Sequence, residues 1–218
     1  MPKIKLARMD ALKDMDNVFL WTDYNSNNPF PRGTWNKDIF KNENPIVLEL
    51  ACGKGEYCIG LGQQNPEKNY IGFDLKGNRI WVGADRAIKK GLTNVRFFRA
   101  YIDHLDQFFD KNEVSEIWII FPDPQLKKDR KKLTSPKFLD LFRPLLKSGA
   151  TINLKTDSPE LYEFTLNVIE ELGLKLHRNI SNVYQECPDD PELSIQTYYE
   201  GLHLKKGRTI QFISFSLD

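Results

Sequence analysis

The chain has 218 residues, 40% of them hydrophobic, enough to bury one good core in a single domain. Lys and Arg number 31 against 30 Asp and Glu, so attraction to an anionic partner has to come from a local cluster and not from the charge of the whole. No stretch is long and apolar enough to cross a bilayer, and three cysteines and three scattered histidines fit neither a disulfide framework nor zinc-ligand spacing, which disfavours membrane and metal chemistry.

The opening, MPKIKLARMDALK, is basic and lacks the apolar stretch of a signal peptide, which points to a cytoplasmic protein. Residues 1–43 read as a basic N-terminal arm and lead-in whose Lys3, Lys5, Arg8 and Lys13 suit phosphate contacts, and residues 44–218 read as the functional domain. Strand-like runs rich in β-branched and aromatic residues follow at PIVLELA (45–51), NYIGFDL (69–75), NVRFFRA (94–100), EIWIIFP (116–122) and GATINLKT (149–156). Each leads into a helical pattern: YCIGLGQQN after Glu56, NRIWVGADRAIKK, a short HLDQFFD, then SPKFLDLFRPLLK and SPELYEFTLNVIEEL, both opening on Ser-Pro. Such alternation predicts a parallel sheet with right-handed crossovers and helices on both faces. KLHRNIS and GRTIQFISFSL are two further strands, separated by a polar, turn-rich stretch at 182–206. The last has no crossover helix before it, so it is expected to be antiparallel. The expected class is α/β, with a mostly parallel seven-stranded sheet.

Open sheets of this kind bind ligands beyond the carboxyl ends of their strands, which here carry ELACGKGEY, DLKGNR, FPDP and KTD. ELACGKGEY occupies the place of a dinucleotide fingerprint. Counted from Gly53 and Gly55, however, G-x-G-x-x-G meets Cys58 at its last position, where glycine would let the helix end close on a pyrophosphate. Glu49 precedes the turn and Asp74 ends the second strand; an acid there suits ribose hydroxyls, because a carboxylate can accept from both. A glycine turn with two acids suits S-adenosylmethionine, which has an adenosine and an amino acid but no phosphate. Taken alone, the turn is also readable as an ordinary tight connection.

The fourth strand stops at Asp123, held between Pro122 and Pro124, and Lys127, Lys128, Arg130, Lys131 and Lys132 follow. A carboxylate beside a target base repels the phosphates flanking that base, and an adjacent cationic loop compensates. The plainer reading of such a run is a solvated surface. Tyr184, Tyr198 and Tyr199 are candidates to stack an exposed base, or packing residues.

Taken in order, ELACGKGEY, YIGFDLKGNRI, FPDPQLKK, LKTD and TYYE resemble the bacterial tRNA (guanine-N7-)-methyltransferase family from about Asn44 to the end of the chain. FPDP with its lysines and the downstream TD and T-x-Y-E elements are far more specific than the glycine turn. The resemblance implies a Rossmann-like methyltransferase fold over 44–218, S-adenosylmethionine as donor, tRNA as partner of a monomer or homodimer, and methylation of nitrogen 7 of guanosine 46 in the variable loop. Position by position, it implies cofactor contacts from Glu49, Gly53, Gly55, Asp74, Tyr101 and Asp123, with Asp123 also the active-site residue. It implies substrate contacts from Lys127, Asp157, Thr197, Tyr198, Tyr199 and Glu200. The chain departs from the pattern where Tyr101 replaces an acid, with Asp103 two residues on, and where Gln125 replaces a tryptophan. Its basic loop is also shorter than usual and lacks an Arg-His pair. Other classes fit less well. A methyltransferase for a small molecule or protein has no need of the lysine loop, a nicotinamide oxidoreductase is disfavoured by Cys58, and a non-catalytic RNA-binding protein has no use for the acids.

Overall fold

Strand order decides where this chain can hold a ligand. The computed structural model describes residues 3–24 and 29–218. Within them one sheet contains β1 (Val18–Leu20), β2 (Ile46–Leu50), β3 (Asn69–Asp74), β4 (Val95–Arg99), β5 (Val114–Ile120), β6 (Leu146–Thr156), β7 (Lys175–Ile180) and β8 (Gln211–Ser216). Their order is β1-β4-β3-β2-β5-β6-β8-β7, and β8 alone runs against the direction of the others. The helices are α1 (Lys3–Asp10), α2 (Glu56–Gln64), α3 (Gly77–Lys89), α4 (Leu105–Phe108), α5 (Pro136–Phe142), α6 (Pro159–Glu171), α7 (Val183–Glu186) and α8 (Tyr198–Lys205). From β2 the chain winds outward through β3 and β4, whereas β5 continues on the other side through β6. The order therefore switches between β2 and β5, and a crevice opens there at the strands' carboxyl ends.

The strands' two faces carry two cores, as a period of two requires. Leu48, Leu50, Ile71, Phe73 and Phe98 pack with Trp35, Phe109 and Phe142 on one side. Val47, Tyr70, Phe97 and Trp118 pack on the other with Tyr57, Ile80 and Ala84 from α2 and α3.

Two sequence expectations need correction. Among the described residues the sheet has eight strands, not seven: Val18–Leu20 pairs in parallel with β4, Val18 opposite Phe97 and Leu20 opposite Arg99. Three residues are too few to show a period, so only this pairing reveals a strand. The stretch 182–206 contains α7 and α8, although it reads as a polar connection. Its signal was present: TYYE is a capping box, in which Thr197 Oγ1 accepts from the Glu200 N–H at 3.0 Å and Glu200 Oε2 accepts from the Thr197 N–H at 3.2 Å.

Residues of the lead-in pack on the same cores. Trp35 is wholly buried, donates from Nε1 to the Phe108 carbonyl at 2.9 Å and stacks on Phe109. Arg8 lies over the Trp81 ring, 4.7 Å from its centroid. Residues 1–2 and 25–28 of the expected arm lie outside the described residues.

Candidate active site

Two turns flank the switch point, and both bend through conformations that side chains rarely adopt. After β2, Ala51, Gly53 and Gly55 all have φ of 59°. A Cβ at Gly55 would lie 2.2 Å from Phe97 Cε1, so only glycine fits there, whereas one at Gly53 would meet nothing, leaving that backbone open to a ligand. After β5, Phe121 and Gln125 have φ of 46° and 48°. Strain of this kind at non-glycine residues costs on the order of 1–3 kcal/mol each and persists where the surroundings impose it.

Glu49 faces α2 from the central strand and is buried. Its Oε2 accepts from the Cys58 N–H at 2.8 Å. At the position where a dinucleotide fingerprint needs its third glycine, the N–H of Cys58 is thus given to a protein carboxyl group, which takes one of the helix-end donors a pyrophosphate would use. Burial pushes the Glu49 pKa up to about 8, with Glu56 and Asp74 adding to the rise and the Cys58 hydrogen bond opposing it. Beside it lies a cavity of about 70 Å³, reached also by Gly53, Lys54 and Tyr198. Among the described residues Glu49 is in no ion pair, and with Lys54 on the same pocket the wall offers an acid for an ammonium group and a cation for a carboxylate.

Asp74 ties the glycine turn to β3: its Oδ2 accepts from the Gly53 N–H at 2.9 Å and its Oδ1 from the Lys76 N–H at 2.7 Å. Its lone pairs not used by these bonds can take hydroxyl donors. It lines a cleft of about 520 Å³ together with Ala100, Tyr101, Ile102 and Asp103. Asp103 is ion-paired with Lys137, while Tyr101 is about half exposed and offers a ring face. The wall has the groups an adenosine would use, a carboxylate suited to ribose hydroxyls at Asp74 and a ring face suited to a base at Tyr101. Together with the pocket at Glu49, the donor set matches S-adenosylmethionine.

Asp123 stands on the partition between this cleft and a second of about 790 Å³. Its Oδ1 accepts from the Gln125 N–H at 3.1 Å, which fixes the carboxylate within the turn. Asp157 lines the second cleft, where it is ion-paired with Arg208 and lies 3.1 Å from His203 Nδ1.

The four residues 197–200 divide. Tyr198 and Tyr199 are about half exposed at the mouth, each against a cation: Lys54 lies 4.6 Å from the Tyr198 ring centroid and Arg79 5.7 Å from that of Tyr199. Thr197 and Glu200 point inward as the cap of α8. Glu200 has no exposed surface and is ion-paired at 2.6 Å with Lys155, which is equally buried. The structure therefore gives Glu200 no face for a substrate, and it positions the two tyrosines instead. Tyr184 donates to Glu200 Oε1 at 3.0 Å, which commits its hydroxyl to the same network.

The basic loop is not a uniform patch. Lys127, Lys128 and Arg130 are exposed and line neither cleft, and Lys131 lines the first. Lys132 is buried, paired with Asp129 and 4.0 Å from the Phe164 ring centroid. Arg79, Phe121, Lys155 and His203 were not among the expected site residues. Position alone distinguishes Arg79 and Phe121, since both line all three cavities. Among the described residues no group of His, Cys, Asp and Glu is arranged to hold a metal.

Comparison with known proteins agrees with this geometry. A family model described as "Putative methyltransferase" matches residues 43–213. The tRNA (guanine-N(7)-)-methyltransferase of Porphyromonas gingivalis is 50% identical over 190 residues, covering 86% of this chain and 78% of the relative. That of Bacteroides fragilis is 44% identical over 220 residues, covering 100% and 87%. The crystal structure of the 16S rRNA methyltransferase KamB superposes with a TM-score of 0.65 at 16% identity, over 85% of this chain and 93% of the other, a likeness of fold.

Proposed function

Because the chain belongs to the tRNA (guanine-N7-)-methyltransferase family, we propose that it methylates nitrogen 7 of guanosine 46 in the variable loop of tRNA, with S-adenosylmethionine as donor and Asp123 at the reacting base. The observation that carries this reading is the place of Asp123, on the wall shared by the cleft suited to adenosine and the larger open cleft beside it. The reading extends to a monomer or homodimer that meets tRNA in the cytoplasm. No helix among the described residues is long and apolar enough to cross a membrane.

When bound, S-adenosylmethionine supplies an electrophilic methyl group. Nitrogen 7 of guanine carries an in-plane lone pair and no hydrogen, so the protein need not remove a proton before attack. Its task is alignment. Asp74 and the open backbone at Gly53 hold the donor, and Glu49 takes its ammonium. Asp123 accepts from the guanine edge donors and balances the positive charge that develops on the purine. Tyr198 and Tyr199 offer ring faces to an extruded base.

The direct test incubates the protein with labelled donor and unmodified tRNA and maps the labelled nucleoside. Label in 7-methylguanosine at position 46, lost when that guanosine is replaced by adenosine, is the expected result; label confined to another position would overturn the assignment. A second expectation concerns Glu49. Its carboxyl group is protonated below about pH 8 in the free protein, and an ammonium partner favours its ionised form, so binding releases a proton. The donor's α-amino group loses its own charge near 7.7–8.0. Affinity should therefore rise about tenfold from pH 6 to pH 7 and level off near pH 8. Calorimetry in buffers of differing ionisation enthalpy checks this, and Glu49→Gln should abolish the slope.

A further inference from the structure

Arg79 is a half-buried residue in the first turn of α3 and lines the first cleft, the second cleft and the small pocket beside Glu49. Among the described residues its guanidinium has no carboxylate partner. It rests on a neutral group, donating from Nη2 to the Tyr199 hydroxyl at 3.2 Å with the ring beneath it. Of the other basic side chains that line the second cleft, Arg208 is ion-paired with Asp157 and His203 Nδ1 lies 3.1 Å from the same carboxylate. That cleft also contains Asp123 and Glu160. A polynucleotide entering it must bring phosphates past three carboxylates, and Lys127, Lys128 and Arg130 stand outside. The small pocket, by contrast, has a cation of its own, Lys54.

Resting on the reading that this cleft receives tRNA, we propose that Arg79 binds the phosphate of the target nucleotide, exchanging the Tyr199 hydroxyl for phosphate oxygens. A planar guanidinium parked on a phenol can make that exchange without breaking an ion pair, and its fork matches two phosphate oxygens. Tyr199, released, keeps its ring face for the base.

The test measures tRNA binding against salt concentration for the parent, Arg79→Gln and Arg79→Lys, with calorimetry of S-adenosylhomocysteine on the same proteins. Arg79→Gln should weaken tRNA binding about 10- to 100-fold, as expected for loss of a charged hydrogen-bonded contact. It should also reduce the slope of log affinity against log salt by about 0.7–0.9. Arg79→Lys should restore the slope but not the full affinity, because the charge returns without the fork. Affinity for S-adenosylhomocysteine should be unchanged. An unaltered salt slope in Arg79→Gln overturns the inference, and so does lost nucleoside affinity with the slope intact, which would assign Arg79 to the carboxylate of the donor. Parental turnover on tRNA, followed alongside, tests the wider reading separately. Turnover by the parent with an unaltered Arg79→Gln slope removes only the role of Arg79, whereas a parent that does not bind tRNA removes both.

Discussion

Asp123→Ala should slow single-turnover methylation of unmodified tRNA about 100- to 1000-fold at saturating donor, the loss typical of a preorganised group that meets charge appearing only in the transition state. Asp123→Asn should slow it less, since the amide keeps the size of the side chain and one acceptor while losing the charge. Both effects follow from placement: Asp123 is fixed by the Gln125 N–H on the partition between the two clefts, and Phe121 and Gln125, two residues to either side, are held in left-handed conformations. The parental rate at saturating donor should be nearly flat from about pH 6.5 to 8.5, because nitrogen 7 has no proton to lose. Rapid-quench measurements on the three proteins decide the matter. A near-parental rate in Asp123→Asn would leave the carboxylate a matter of shape, and a steep parental profile absent from that variant would make Asp123 a general base.

Lys155→Met should destabilise the fold by about 3–5 kcal/mol, the usual result of removing one member of a buried ion pair. For a chain of this size that lowers the melting temperature by roughly 6–20 °C. Lys155 and Glu200 are both fully buried, and the ammonium also donates to the Leu193 carbonyl at 2.7 Å and to that of Ile195 at 3.3 Å. Burial pulls the Lys155 pKa down and Glu200 pushes it back up, so the charge depends on its partner. The same pair anchors the amino end of α8, so the surviving folded protein should bind tRNA more weakly as Tyr198 and Tyr199 lose their support. The double variant Lys155→Met, Glu200→Gln should recover a large part of the stability, because no charge is then left unpaired. Denaturant titration of the parent, both single variants and the double variant closes the cycle. A cost below about 1 kcal/mol for Lys155→Met, the range of exposed pairs, would show that this pair is not sealed from water.

The sequence by itself determined what is local. Runs rich in β-branched and aromatic residues became β2 to β8, Ser-Pro marked the starts of α5 and α6, and the failed third glycine at Cys58 disfavoured a dinucleotide, in a turn where the Cys58 N–H is bonded to Glu49. Each of these signals lies within about ten consecutive residues, where backbone geometry ties spacing to structure. Even so, a local signal can be misread. TYYE carries a helix cap as legibly as a substrate motif, and here the cap accounts for Glu200, while Thr197 both caps the helix and lines the small pocket. Only the tertiary structure decided which strand ends meet and which charges face the clefts. The Tyr198 N–H donates to Glu56 across 142 residues of chain and Arg79 reaches Tyr199 across 120, contacts no periodicity encodes. The loop lysines separated for the same reason: Lys131 turns to the first cleft and Lys132 is drawn under Phe164 and Asp129, while Lys127 and Lys128 stay in solvent. Their sequence neighbours are alike, and what differs is the burial that the sheet order imposes, since a charge taken out of water must find a partner wherever the fold supplies one.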